Sequence, residues 1–372
     1  MYFKNLQLSK GATGMVISGI QQIGIGVNDL HESWAWYRNF LGFDIKVFEE
    51  EAIAELMLPY TGGEPQHRRA ALTLNLQGGG GFEIWQYTKR KPRIPEFKLA
   101  LGDLGIFAAK IKCRNAQAVY TSFKRNGIEI LSEIHKCPAG IDNFFIRDPF
   151  DNIFNIVESN SWFKNENKLT GGSYGVILGV TDLETSKRFY SNILGYDEIV
   201  YETSGKFNEL EGISGGDRTF DRVLLRHSKP RKGSFSPIFG SSEIELIRVK
   251  DRQPKKIYEN RYWGDLGFIH LTFDIIGFNE LRDHCANEGY PFTVDSTANN
   301  VNGESFDMGE AAGHFSYIED PDGALIEFIE THRVPILKKL GIYLDLKKKD
   351  PEKPLSKWWL RAFAFNRIKD KG

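Results

Sequence analysis

The 372-residue chain has only three cysteines, Cys113, Cys137 and Cys285, and no Cys-x-x-Cys spacing. An odd count without that spacing excludes a disulfide framework and a thiolate zinc site, and it points to a reducing compartment. No apolar run approaches the roughly 18 residues that a membrane span needs. The opening segment, MYFKNLQLSKGATG, lacks the basic stretch and apolar core of a signal peptide. Net charge is also scarce: 48 Lys and Arg stand against 49 Asp and Glu, leaving −1. That balance excludes a whole-protein basic field for nucleic acid. The expectation is a cytoplasmic protein that takes neither nucleic acid nor a membrane as partner. What the chain has in quantity is core material, 41% hydrophobic and 13% aromatic. At this length that is enough for two or three domains.

The sequence repeats itself. Residues 23–50 and 176–203 align without a gap at an offset of 153, with 12 of 28 positions identical, among them Asp29/Asp182, Tyr37/Tyr190 and Gly42/Gly195. At an offset of 162, Glu83 falls on Glu245, Arg90 on Arg252, and the run Gly102-Asp103-Leu104-Gly105 on 264–267. Asp148-Pro149 falls on Asp320-Pro321 at an offset of 172. The chain is therefore a duplication, with residues 1–160 as the first domain and 171–333 as the second. The polar stretch 159–172 links them, and 334–372 form a tail. The second copy is longer by 9 residues before Glu245 and by 10 more between Gly289 and Asp320. Insertions of this kind become loops, and such loops often cover sites.

Each copy divides again. A short apolar run leads into Asp-Leu and an amphipathic stretch whose Trp34, Tyr37 and Leu41 share one helix face, stopped by Gly42. Strand-like runs follow (DIKVFEE, AALTLNL, GFEIWQY), then a second strand, helix and strands. The pattern is α+β: βαβββ four times, with a helical tail. A module whose first strand runs into VNDL or VTDL, whose helix ends in a Tyr and then Leu-Gly, and whose last strand carries DPDGALIEF resembles the vicinal oxygen chelate superfamily. Glyoxalase I, extradiol dioxygenases and bleomycin and fosfomycin resistance proteins belong to it. The resemblance spans about 18–333 and implies two tandem glyoxalase-like domains.

In that superfamily two modules form a cup, and up to four strand positions supply metal ligands. Read copy by copy, the first domain offers Gln22, Glu83, Ala108 and Asn155. One carboxylate and no imidazole make a poor site, so this half is expected to be structural. The second domain offers Gly175, Glu245, His270 and Glu327. The resemblance implies that Glu245, His270 and Glu327 hold a divalent metal, with Zn, Mn, Fe, Ni and Mg all compatible. Glyoxalase I-like sites place a Gln or His where Gly175 stands, and extradiol dioxygenases place a His there.

The expected function is thus a metal-dependent lyase or isomerase acting on a small substrate with vicinal oxygens. Glu245 or Glu327 would be the base, and His314, before the DPDG turn, the proton shuttle. A ring-cleaving dioxygenase and a metal-free small-molecule binder are the alternatives. The run Gly78–Gly81 lacks the Lys-Ser/Thr of a phosphate loop and reads as a hairpin. Cys285 beside His284 is discounted as a nucleophile, because helix neighbours point apart. The tail carries a net +7 against −8 for the body. With Trp358, Trp359 and Phe363 near one face, it is expected to dock on its own body over a site or sheet edge. A homodimer contact ranks behind that, and an anionic membrane surface last.

Overall fold

The computed structural model describes residues 14–298, 306–308, 311–337 and 341–368. The chain start, 1–13, and residues 299–305 and 309–310 of the second insertion lie outside the described residues. The first module is β1 (Val16–Gly26), α1 (Leu30–Leu41), β2 (Ile45–Ala54), β3 (Gln66–Leu74) and β4 (Gly81–Tyr87). The second is β5 (Gly105–Cys113), α2 (Ala116–Arg125), β6 (Glu129–Ile130), β7 (His135–Lys136), β8 (Asp142–Arg147) and β9 (Ile153–Glu158). The third is β10 (Thr170–Gly179), α3 (Leu183–Leu194), β11 (Glu198–Gly205), β12 (Phe220–Arg226), α4 (Ser236–Phe239) and β13 (Glu243–Val249). The fourth is β14 (Gly267–Ile276), α5 (Phe278–Asn287), β15 (Val294–Asp295), β16 (Phe306–Met308), β17 (Ala311–Glu319) and β18 (Leu325–Leu337). The tail adds β19 (Ile342–Asp345) and α6 (Lys357–Ala362). No described helix is long and apolar enough to cross a membrane.

The repeated motifs build the same local structures twice. Asp29 caps α1 by accepting the Glu32 N–H at 2.9 Å, and Asp182 caps α3 through Thr185 N–H at 2.7 Å. Such caps contribute about 1 kcal/mol each. Both helices end at a left-handed glycine, Gly42 and Gly195. The repeated tyrosines join modules. Tyr37 donates to Asp148 at 2.8 Å and Tyr190 to Asp320 at 2.9 Å, so each Asp-Pro turn is tied to the helix of the preceding module.

The four modules and the α+β class match the sequence pattern, but the modules pair differently from the copy-by-copy reading. One ten-stranded sheet runs β15-β17-β18-β14-β1-β4-β3-β2, with β16 and β19 attached at its flank. The other, nine-stranded, runs β11-β12-β13-β10-β5-β9-β8-β6, with β7 on β8. The first module thus joins the fourth, and the second joins the third. The seams are antiparallel, β1 against β14 and β5 against β10.

Repeated residues hold this exchange in place. Arg90 of the first copy pairs with Asp265 of the second at 2.8 Å, and Arg252 of the second with Asp103 of the first at 2.6 Å. Both Asp side chains are buried. The run Gly78–Gly81 is more than a hairpin. It is where the sheets touch, with Gly80 and Ser173 exchanging backbone hydrogen bonds at 2.9 and 2.8 Å. A Cβ on Gly79 would lie 2.8 Å from the Gly172 carbonyl carbon, so only glycine permits that approach.

Burial on the β1–β14 seam has a pH consequence. Asp274 is enclosed, with Gln21 Nε2 at 3.4 Å, and burial pushes its carboxyl up to about 7. The folded protein then binds a proton that the unfolded chain releases near pH 4, so stability falls as pH rises from about 4 to 7. Asp274→Asn is expected to match the parent in urea unfolding at pH 4 and to exceed it by more than about 2 kcal/mol at pH 8. Equal gains at both pH values would show that the carboxyl's proton is not responsible.

Candidate metal centre

Four central strands of the ten-stranded sheet, β18-β14-β1-β4, bring four polar side chains to one concave face. Gln22 comes from β1, Glu83 from β4, His270 from β14 and Glu327 from β18. Register aligns them: Gly24 lies beside both His270 and Glu83, and Thr272 lies beside Glu327 and Gln22. His270 Nε2 is 3.2 Å from Glu83 Oε2 and 3.3 Å from Glu327 Oε2. The ligand atoms of Glu83, His270 and Glu327 all lie within 4.8 Å of one another.

The surroundings fix each group. Tyr317 donates to Glu327 Oε1 at 2.6 Å and Thr272 to Oε2 at 2.7 Å. Trp263 Nε1 faces His270 Nδ1 at 3.3 Å, and its ring lies 14° from parallel with the imidazole. His270 Nε2 and Gln22 Oε1 are buried without any hydrogen-bond partner. Burial raises the Glu327 carboxyl above its usual range, and the Glu83 charge adds to this. Burial alone would depress His270, but the charges of Glu327 and Glu83 carry it upward. Two carboxylates, an imidazole and an amide oxygen, two of them with unsatisfied lone pairs or protons, form a donor set that fits a divalent ion.

Glu245 does not belong to this set. It lies on β13 in the other sheet, where Lys110 Nζ meets it at 2.8 Å, Arg222 Nη2 at 2.6 Å and Tyr201 OH at 2.7 Å. Lys110 also meets Glu243 at 2.7 Å, so an ammonium occupies the centre of that cup. These positive charges hold the Glu245 carboxyl far below its usual range despite burial. Gly175 has no room for a ligand, because a Cβ there would meet Glu243 O at 1.8 Å. Ala108 and Asn155 complete this cup. Asn155 donates to Asn143 at 2.9 Å, so it is already engaged.

His270 and Glu327 do come together, while His314 points elsewhere. Phe315 and Tyr317 line the cup, so His314 faces the back of β17. There it packs against Phe278 and His332, with ring centroids 5.3 and 4.6 Å away. A shuttle role at the cup is ruled out by that side-chain direction. Cys285 is buried, its thiol pushed up to about 12 by burial, and His284 turns to Asn192 O.

The cup opens into a cavity of about 440 Å³ reached by Gln22, Glu83 and Glu327. Its walls are mostly apolar, and Arg68, ion-paired to Glu50 at 2.5 Å, is the one cation lining it among the described residues. Two parts of the chain beyond the basic modules complete it. α4, from the insertion before Glu245, contributes Ile238 and Phe239. The tail contributes Phe363. The tail also covers a sheet edge: Ile368 N–H donates to Asp44 O at 2.9 Å, and Arg367 pairs with Asp44 and, at 2.7 Å, with Glu166. Leu355, Leu360 and Phe363 are buried there, whereas Trp358 stays exposed. Charge and apolar packing both seat the tail on its own body.

The family model described as Glyoxalase/Bleomycin resistance protein/Dioxygenase superfamily matches residues 19–156 and 175–328. No curated protein matches the chain. Glyoxalase I from Zea mays superposes with a TM-score of 0.51 at 12% identity, covering 84% of this chain and 92% of its own. A putative dioxygenase from Bacillus subtilis subsp. subtilis str. 168 gives 0.53 at 13%, covering 85% and 86%. At such identities the likeness is one of fold.

Proposed function

The chain belongs to the Glyoxalase/Bleomycin resistance protein/Dioxygenase superfamily, and on that premise we propose that it is a metal-dependent, glyoxalase-like lyase or isomerase with one active centre, Gln22, Glu83, His270 and Glu327. The observation that carries this reading is the pair of buried, unbonded atoms, Gln22 Oε1 and His270 Nε2, beside two carboxylates at a cavity. A divalent ion held there (Zn, Mn, Fe, Ni or Mg) would supply Lewis acidity toward two vicinal oxygens of a substrate.

The chain's own residues would do the rest. Glu327, raised by burial, is the base that takes a proton from carbon next to a substrate oxygen. Tyr317 and Thr272 orient it through the hydrogen bonds to its two oxygens. The apolar walls accept a largely apolar substrate body and exclude water. Arg68 Nη1, buried without a hydrogen-bond partner, offers a donor to an anionic or carbonyl group. A ring-cleaving site of the two-imidazole kind is disfavoured, since His270 is the only imidazole in the cup among the described residues.

Metal analysis after reconstitution with Mn²⁺, Zn²⁺ or Ni²⁺ tests the centre. His270→Ala and Glu83→Ala are each expected to remove one equivalent per chain. Metal content unchanged from the wild type in both would show that the cup holds no ion and would overturn the reading in favour of metal-free binding there. Oxygen uptake with catechols would replace the lyase or isomerase by a dioxygenase.

A further inference from the structure

We propose that the chain carries a second divalent-metal site, formed by His314, Glu330 and His332 on the back of the β17–β18 pair and suited to a zinc-like ion. Strand alternation separates it from the cup. Glu327, Ile329 and Thr331 line the cup, so Glu330 and His332 face the other way. His314 is the register partner of Glu330 across the ladder. Three ligands thus come from two adjacent strands, a rigid platform for an ion.

The local geometry supports coordination. Glu330 Oε2 and His332 Nε2 are 3.1 Å apart, close to the edge of a tetrahedral site. The two imidazoles stand nearly perpendicular, at 86°, and one ligand atom from each of the three residues lies within 4.8 Å of the others. His314 is only 9% exposed, and its Nδ1 is buried without a hydrogen-bond partner. Among the charged groups around it, Glu330 and Asp295 favour a cation and the exposed Lys347 opposes one.

Two imidazoles and one carboxylate select a transition ion over Mg²⁺ or Ca²⁺. A neighbouring cavity of about 290 Å³, reached by Glu330 and His332, leaves the fourth position open to water or a small anion. The site also has a mechanical link. Glu330 Oε1 accepts the Gly277 N–H at 2.7 Å, at the start of α5, so an ion there would join the back of the sheet to that helix.

Zn²⁺ titration of His270→Ala, followed by calorimetry and metal analysis, tests the proposal with the cup disabled. One equivalent is expected to remain, and adding Co²⁺ instead should give the visible absorption of a tetrahedral nitrogen–oxygen site. His332→Asn and Glu330→Gln, each in that background, should weaken Zn²⁺ at least about 100-fold. Circular dichroism identifies any variant that fails to fold. Absence of Zn²⁺ binding to folded His270→Ala overturns the second site whatever the variants do. Binding that is unchanged in folded Glu330→Gln and His332→Asn overturns it as well. Neither result bears on the cup, whose own equivalent is read from the difference between the wild type and His270→Ala.

Discussion

Glu245→Ala is expected to cost about 3–5 kcal/mol of folding stability while leaving the metal content of the protein unchanged. The carboxylate is 3% exposed and is one of three in a largely buried array, Glu209, Glu243 and Glu245, set against Lys110, Arg222 and Arg226. Removing it leaves three cations against Glu243 and Glu209, and it strips Arg222 of its hydrogen bonds from Nε and Nη2 to Glu245 Oε1. An uncompensated buried charge is the costly outcome, more than the lost pair itself. The carboxyl is held far below its usual range, so its contribution is complete above the ordinary carboxylate range and fades only as pH falls below it. Urea unfolding at pH 7 together with metal analysis reads both quantities. Loss of one metal equivalent with little loss of stability would return Glu245 to a metal centre.

The two cups show how one scaffold is kept with and without a ligand set. In the nine-stranded sheet the Lys110 ammonium sits between Glu243 and Glu245, and Arg226 adds a contact to Glu243 at 2.8 Å. Its charge requirement is met internally, and each side-chain oxygen of Glu243 and Glu245 has a cationic partner. In the ten-stranded sheet, among the described residues, no ion pair reaches Glu83 or Glu327 except that of His270, and two polar atoms stay without a hydrogen bond. A fully satisfied buried network rigidifies a core, and a partly satisfied one marks a site.

The repeat made the modules, helix caps and strand order within each module legible, because capping aspartates, stopping glycines and alternation are local signals. His270 and Glu327 were legible for the same reason, each flanked by apolar strand residues. The partnership of modules was not, since strand pairing between distant segments leaves no local trace. Pairing by copy put Glu245 with His270 and set Gln22 and Glu83 aside as a weak half. A signal for the exchange was nevertheless present. Gln22, Glu83, His270 and Glu327 taken together form the Gln-Glu-His-Glu set of the glyoxalase I resemblance, whereas each copy alone is incomplete. The reciprocal Arg90–Asp265 and Arg252–Asp103 pairs are the structural counterpart, visible only once the copies interlock. His314 failed for a different reason: its neighbour in sequence, Phe315, lines the cup, and one step along a strand reverses the face.

Gly24→Ala is expected to weaken metal binding at the cup by about 100-fold or more without altering the strand around it. Gly24 sits opposite His270 on the seam, and a Cβ there would lie 2.4 Å from His270 Cε1 and 2.5 Å from Nε2. The ring cannot yield easily, because Trp263 lies parallel to one face and Tyr317 stands edge-on to it, with centroids 6.1 and 5.6 Å away. Gly24 has no left-handed backbone, so alanine brings crowding and not strain in φ. Crowding of this kind costs about 1–3 kcal/mol. The other cup records the reverse arrangement: Ile177 stands at the position equivalent to Gly24 and Ala108 at that of His270, and both are buried in one cluster. Small beside large is kept, with the large residue moved across the seam. A double-mutant cycle follows directly. Gly24→Ala should weaken binding at this site and His270→Ala abolish it, and together they should recover stability relative to Gly24→Ala alone, giving a coupling energy of about 1 kcal/mol or more. Mn²⁺ affinity by electron paramagnetic resonance and unfolding in urea read the two halves of the cycle. Wild-type affinity in Gly24→Ala would show that the ring has another place to go, and that the glycine is not what holds His270 on the metal.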